Sequence, residues 1–133
     1  MAFNILIVDD SGTARAMIRK TLGLSKLPLG QLLEAGNGAE ALELMGQFWV
    51  DLVLCDINMP VMDGHELVAR MSDDPVLKTI PVAIISTEGS EERIAELRAL
   101  GISAYLRKPF KPEDVSALVL GLLQKEANHE NDH

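Results

Sequence analysis

Apolar runs of strand length alternate along this chain with stretches whose apolar positions recur every three or four residues, the periodicity of repeated β–α units. The run from about Phe3 to Val8 predicts a first strand; Ala14, Met17, Ile18 and Leu22 then keep helical spacing until Gly23, Pro28 and Gly30. A second strand is expected near Leu32 to Ala35. Asn37-Gly38-Ala39-Glu40 follows, a helix cap with an acid three residues on, and Ala41, Leu42 and Met45 mark that helix's inner face. The third run ends at Asp56, and Pro60 and Gly64 make the next segment a loop before a helix around Glu66 to Met71. Pro75 and Pro81 bracket a connection to a fourth strand, Val82 to Ile85, after which Ser90-Glu91-Glu92 opens a helix that Gly101 stops. A short fifth strand precedes Pro112, which with Glu113 and Asp114 marks the first turn of a last helix. Right-handed crossovers between consecutive parallel strands give one five-stranded sheet with helices on both faces, in the expected order 2-1-3-4-5.

Composition narrows the possibilities. A chain of 133 residues with 47% hydrophobic composition suits one domain, expected over residues 1–125 with a polar, disordered tail over 126–133. A net charge of −8 argues against a nucleic-acid or anionic-membrane surface, either of which needs a basic patch. The lone Cys55 lies in an apolar run, so no disulfide framework exists and a reducing cytosol fits. No run approaches the ~20 apolar residues of a membrane span, and no leader pattern opens the chain, so a cytoplasmic protein is expected.

The chemistry lies at the strand ends. Asp9-Asp10 follow the first run, Asp56 the third, Ser86 the fourth and Lys108 the fifth. Parallel strands bring these groups to the carboxyl edge of the sheet, where open α/β folds place their ligands. Three carboxylates there repel one another unless a cation or an amine lies among them. Mg2+ suits them, since it takes oxygen ligands and is commonly held by a few carboxylates plus a phosphoryl oxygen. Asp56 would be the nucleophile that forms an aspartyl phosphate, with Lys108 neutralising the transferring oxygens and Ser86 donating its hydroxyl to the same group. A helix cap at Asp9-Asp10 and a turn at Asp56 explain each acid separately but not the whole set.

Asp9-Asp10, Asp56-Ile57-Asn58-Met59-Pro60-Val61-Met62-Asp63-Gly64, Ser86 and Lys108-Pro109-Phe110, in that order, resemble a response-regulator receiver domain of the single-domain chemotaxis type, over nearly the whole length. The resemblance implies a flavodoxin-like, three-layer, doubly wound α/β fold. It implies that Asp56 accepts phosphate from a sensor histidine kinase, that Asp10, Asp56 and the Asn58 backbone carbonyl bind Mg2+, and that Asp9 acts through metal-bound water. It also implies a cis Lys108-Pro109 bond and a switch coupling Ser86 to Tyr105, the only tyrosine. Phosphate at Asp56 would draw Ser86 and open space for Tyr105 to move inward.

Asn58 and Glu88 flank the site with side chains able to orient water, so a short-lived phosphate is expected. Thr87 stands where the family usually has a smaller residue and tunes either phosphate approach or Tyr105. Output should lie on the face of the fourth helix, fifth strand and fifth helix. Beyond the core stripe Val115, Leu118, Val119 and Leu122, the last helix carries Ala117, Leu120 and Leu123, more apolar surface than one stripe requires. The three histidines, His65, His129 and His133, lack metal-ligand spacing.

The leading expectation is therefore a phosphoacceptor signalling protein, with self-directed phosphotransfer and dephosphorylation only. Its expected partners are a histidine kinase, a protein target such as a flagellar motor switch, and a phosphatase. A phosphorelay intermediate or phosphate sink is the alternative. A haloacid-dehalogenase-like phosphohydrolase would need a second acid where Asn58 stands, and a flavodoxin-like cofactor site would set a phosphate against Asp9-Asp10. No attached DNA-binding or cyclic-dinucleotide domain is expected.

Overall fold

The computed structural model describes residues 2–131, with side chains through Gln124. Five parallel strands form one sheet in the order β2-β1-β3-β4-β5: β1 Phe3–Val8, β2 Leu29–Ala35, β3 Leu52–Cys55, β4 Val82–Ser86 and β5 Ala104–Arg107. The helices between and after them are α1 Gly12–Leu24, α2 Gly38–Gln47, α3 Gly64–Ser72, α4 Glu91–Ala99 and α5 Pro112–Asn131, with a short 3-10 turn at Leu77–Thr79. The predicted order holds. Helical backbone in α5 continues into the stretch that polarity assigned to a tail; Asp132 and His133 lie outside the described residues.

Side-chain alternation along each strand splits the core in two. Leu6, Val8, Val53, Cys55, Val82 and Ile84 face α2, α3 and Leu97 of α4. Ile5, Ile7, Leu52, Leu54, Ala83 and Ile85 face Ile18 and Leu22 of α1 and Val115, Val119 and Leu123 of α5. The three central strands are buried on both sides, which is why they read as unbroken apolar runs. Burying one such Ile or Leu contributes about 1.5–3 kcal/mol, so this double core is the main stabilising term.

Side-chain caps open four helices, at Asn37 and Ser90 as expected and at Ser11 and Asp63 as well. Ser11, Asn37, Asp63 and Ser90 each accept a hydrogen bond from a first-turn backbone N–H, at Ala14, Glu40, Glu66 and Arg93. Gly101 closes α4 with a φ of +100°, a conformation that a side chain would strain. Two expectations need correcting. Met17, expected inward on α1, is 55% exposed, and Thr21 is buried beside Ile18 and Leu22 instead. Leu123, counted as surplus on α5, is core at 2% exposure, while Leu118 and Leu122 are only partly buried. Helical spacing admits either stripe, and the rotation at which α5 meets the sheet selects one.

Candidate functional site

Register brings the polar strand ends level. Val8 pairs with Ala35 on one side and Cys55 on the other, and Ser86 pairs with Arg107. The next residue on each of β1 and β3 is therefore an acid at the carboxyl edge. Carboxylate oxygens of Asp9, Asp10 and Asp56 all lie within 4.8 Å of one another. Asp9 is buried, Asp56 partly buried and Asp10 exposed, so the cluster opens to solvent through Asp10.

Burying Asp9 is costly unless its charge is met. Its Oδ1 accepts from the Ser11 backbone N–H at 2.9 Å and its Oδ2 from Lys108 Nζ at 2.8 Å. The same ammonium lies 3.3 Å from Asp56 Oδ2, while Asp56 Oδ1 accepts from the Ile57 N–H at 2.7 Å. Burial by itself would lower the Lys108 pKa, but the hydrogen bond to Asp9 and the charges of Asp56 and Asp9 outweigh it and hold the amine above its ordinary range. Lys108 is thus the positive member of a cluster whose three acids exceed it in charge. That surplus, made of hard oxygen donors with Asp10 open to solvent, fits a divalent cation such as Mg2+.

The loop after β3 is fitted tightly to this edge. The Gly64 N–H donates to Ile57 O at 2.7 Å, and a Cβ on Gly64 would collide with the Asp56 carbonyl and meet Ile57 Cα at 2.9 Å. Glycine is required there for close approach, as its place in the loop suggested. The Lys108-Pro109 bond is cis, as expected. Cys55 is buried core, its thiol donating to Asp56 O at 3.0 Å; burial, then the Asp56 charge, pushes its pKa up.

The remaining expected site residues surround the cluster at different depths. Ser86 is fully buried, with its Oγ accepting from the Glu88 N–H at 3.2 Å, and among the described residues no hydrogen bond joins it to Asp56. Asn58 and Thr87 are exposed, and Glu88 is half-buried and accepts from the Ser90 N–H. Tyr105 is half-buried, its enclosed hydroxyl without a hydrogen-bond partner among the described residues, and burial, then the Glu88 charge, raises its pKa against the opposing influence of Arg107. His65 lies 3.4 Å from Glu96 of α4, both side chains partly open to solvent.

The apolar surplus of α5 is not on the face with α4 and β5. Ala117 and Leu120 instead line a cavity of about 320 Å3 with Leu24 and Leu27, on the α1 side. Sequence reasoning also missed Arg15, whose Nη1 donates to the Asp9 backbone carbonyl at 2.6 Å. Its only signal is position: an arginine one turn into α1, beneath the acids that end β1.

A family model described as the response regulator receiver domain matches residues 5–120. Chemotaxis protein CheY1 of Helicobacter pylori is 38% identical over 110 residues, covering 82% of this chain and 87% of that protein. Among solved structures, the phosphorylated cyanobacterial phytochrome response regulator RcpA aligns with a TM-score of 0.79 at 29% identity, over 92% of this chain and 91% of that one. The Mn2+-bound form of response regulator Rcp1 aligns with a TM-score of 0.78 at 28% identity, over 90% and 91%.

Proposed function

The chain belongs to the response regulator receiver family, and we propose that it carries a signal as a phosphoryl group on Asp56, supplied by a sensor histidine kinase and requiring Mg2+. One observation carries this reading: three carboxylates converge within 4.8 Å, and one ammonium bridges Asp9 and Asp56. Support also comes from RcpA in phosphorylated form and Rcp1 in Mn2+-bound form.

An Asp56 oxygen attacks the phosphorus of the donor, an O–P bond forms, and the P–N bond to the donor histidine breaks with its electron pair returning to nitrogen. Asp9, Asp10, Asp56 and the Asn58 carbonyl would hold Mg2+, which when bound neutralises charge on the transferring oxygens. Lys108 turns from Asp9 towards the new phosphoryl oxygens. Ser86 supplies a hydroxyl to them, and Tyr105, whose enclosed hydroxyl has no partner among the described residues, moves in response. Asn58, Thr87 and Glu88 set the rate at which water reaches the acyl phosphate. The protein is a phosphoacceptor without activity on other substrates, acts in the cytoplasm, and presents α4, β5 and α5 to its target. Relatives named for chemotaxis make control of a flagellar motor the favoured role, with a phosphatase to end the signal.

Acetyl phosphate with Mg2+, followed by intact-mass measurement, tests the chemistry. Wild type should gain one phosphoryl group, lost in EDTA and absent from Asp56→Asn. Labelling of Asp56→Asn equal to wild type would refute Asp56 as acceptor.

A further inference from the structure

The parallel ladder between β1 and β2 stops one bond short at the site. Asp9 N–H reaches Ala35 O at 3.0 Å, and the next bond in a parallel repeat would run from the residue 37 N–H to the Asp9 carbonyl. Asn37 has instead turned away to cap α2, and the Gly36 N–H between them is taken by Glu40 Oε2 at 2.6 Å. The Asp9 carbonyl would be left without a ladder donor at the point where the chain must hold two acids in place.

Arg15 supplies that donor from α1. Its Nη1 meets the Asp9 carbonyl at 2.6 Å while its Nε meets Glu34 Oε1 at 3.0 Å, so one planar guanidinium spans the end of β1 and its neighbour β2. Glu34 is fixed in turn: its Oε2 accepts from Arg19 Nη1 at 3.2 Å, and Arg19 Nη1 also reaches Leu32 O at 2.9 Å. The Arg15 side chain is only 23% exposed. Glu34 and Arg15 thus form a strut from the edge strand to the backbone of the buried acid.

We propose that Arg15, braced by Glu34, is a positioning residue that fixes the Asp9-Asp10 backbone and so sets the affinity of the acidic cluster for Mg2+. This rests on the Mg2+-dependent acceptor reading given above. Two effects of Arg15 oppose each other. Its charge near the carboxylates disfavours a bound cation, so charge alone makes a neutral replacement bind Mg2+ more tightly. Its hydrogen bond holds the ligand geometry, and loss of such supporting bonds typically weakens metal binding about 10- to 100-fold. Positioning is the larger effect.

Calorimetric titration of Mg2+ into wild type, Arg15→Met, Arg15→Lys and Glu34→Gln, at one ionic strength near neutral pH, decides it. Arg15→Met should weaken binding about ten-fold or more. Arg15→Lys keeps the charge but cannot span both partners, and should also bind more weakly than wild type. Glu34→Gln should weaken binding less, and metal-free Arg15→Met should exchange its Asp9 and Asp10 amide hydrogens faster. In acetyl phosphate labelling, the Mg2+ concentration for half-maximal rate should rise while the rate at saturating Mg2+ recovers. Unchanged or tighter binding by Arg15→Met overturns the proposal; if that variant does not fold, unchanged affinity in Glu34→Gln does so. Wild type that binds no Mg2+ overturns the functional reading and this proposal together, whereas a binding wild type with an equally tight Arg15→Met overturns this one alone.

Discussion

Val61 has a φ of 68°, a region that β-branched residues rarely adopt, in the loop between Asp56 and α3. The Met62 N–H donates to Pro60 O at 2.7 Å, closing a three-residue turn about Val61, which is 83% exposed and gives little packing in return. Such a conformation costs of order 1–3 kcal/mol, against roughly 0.5–1 kcal/mol of extra chain entropy lost by glycine. Val61→Gly should therefore raise stability by about 1 kcal/mol, read as a higher urea midpoint with unchanged slope; a lower midpoint would mean that the turn carries no strain. Nothing in a sequence that places valine between Pro60 and Met62 announces this turn. Asp9, Asp10, Asp56 and Lys108 were legible because each ends an apolar run, and parallel topology turns that one-dimensional position into a three-dimensional meeting. Arg15 was not, since a side chain reaching back from a helix to a strand carbonyl leaves no period and no motif.

At the scale of elements, strands were read more securely than the faces of helices. A strand buried on both sides is apolar throughout, so neither register nor rotation has to be guessed. A helix such as α5 offers Val115, Val119 and Leu123 beside Leu118 and Leu122 at similar helical spacing, and only packing against the sheet chooses among them. α4 is the opposite case: Leu97 is its one buried residue, and its other positions are mostly charged. Its cap therefore matters more than packing. Ser90→Ala removes the acceptor of the Arg93 N–H and should cost about 1 kcal/mol, with faster amide exchange confined to α4. The α2–β3 connection supplies a control for metal work. Trp49, the only tryptophan, is 62% exposed with its Nε1 donating to Asp51 Oδ1 at 2.9 Å, at the amino edge of a sheet whose acids occupy the carboxyl edge. Mg2+ addition should leave its emission unchanged, and a large change would mean that cation binding reaches across the whole sheet.

For the whole molecule, alkaline pH probes how the core and the site are coupled. Cys55, Tyr105 and Lys108 all have folded pKa values raised above their ordinary 9.0, 10.0 and 10.5. Burial dominates for the first two; for Lys108 burial opposes the rise, and the Asp9 and Asp56 carboxylates overcome it. A raised pKa means that the folded state holds its proton where the unfolded state has released it. The associated stability is complete below the unfolded pKa and is lost as pH climbs through the folded one. Stability should thus fall in sequence from about pH 9 upwards, first through the thiol, then the phenol and the amine, each contributing a slope of up to about 1.4 kcal/mol per pH unit. Urea midpoints measured from pH 8 to 11 test the order. Cys55→Ala should remove the earliest part of the fall, near pH 9, and leave the later part. Lys108→Met should be less stable than wild type at pH 8 without Mg2+, because Asp9 and Asp56 lose their shared counter-charge, and the gap should narrow as pH passes about 10.5. A gap that stayed constant to pH 11 would show that the ammonium's charge does not stabilise the acidic edge, and would leave Lys108 without an electrostatic part in holding Asp9 and Asp56 together.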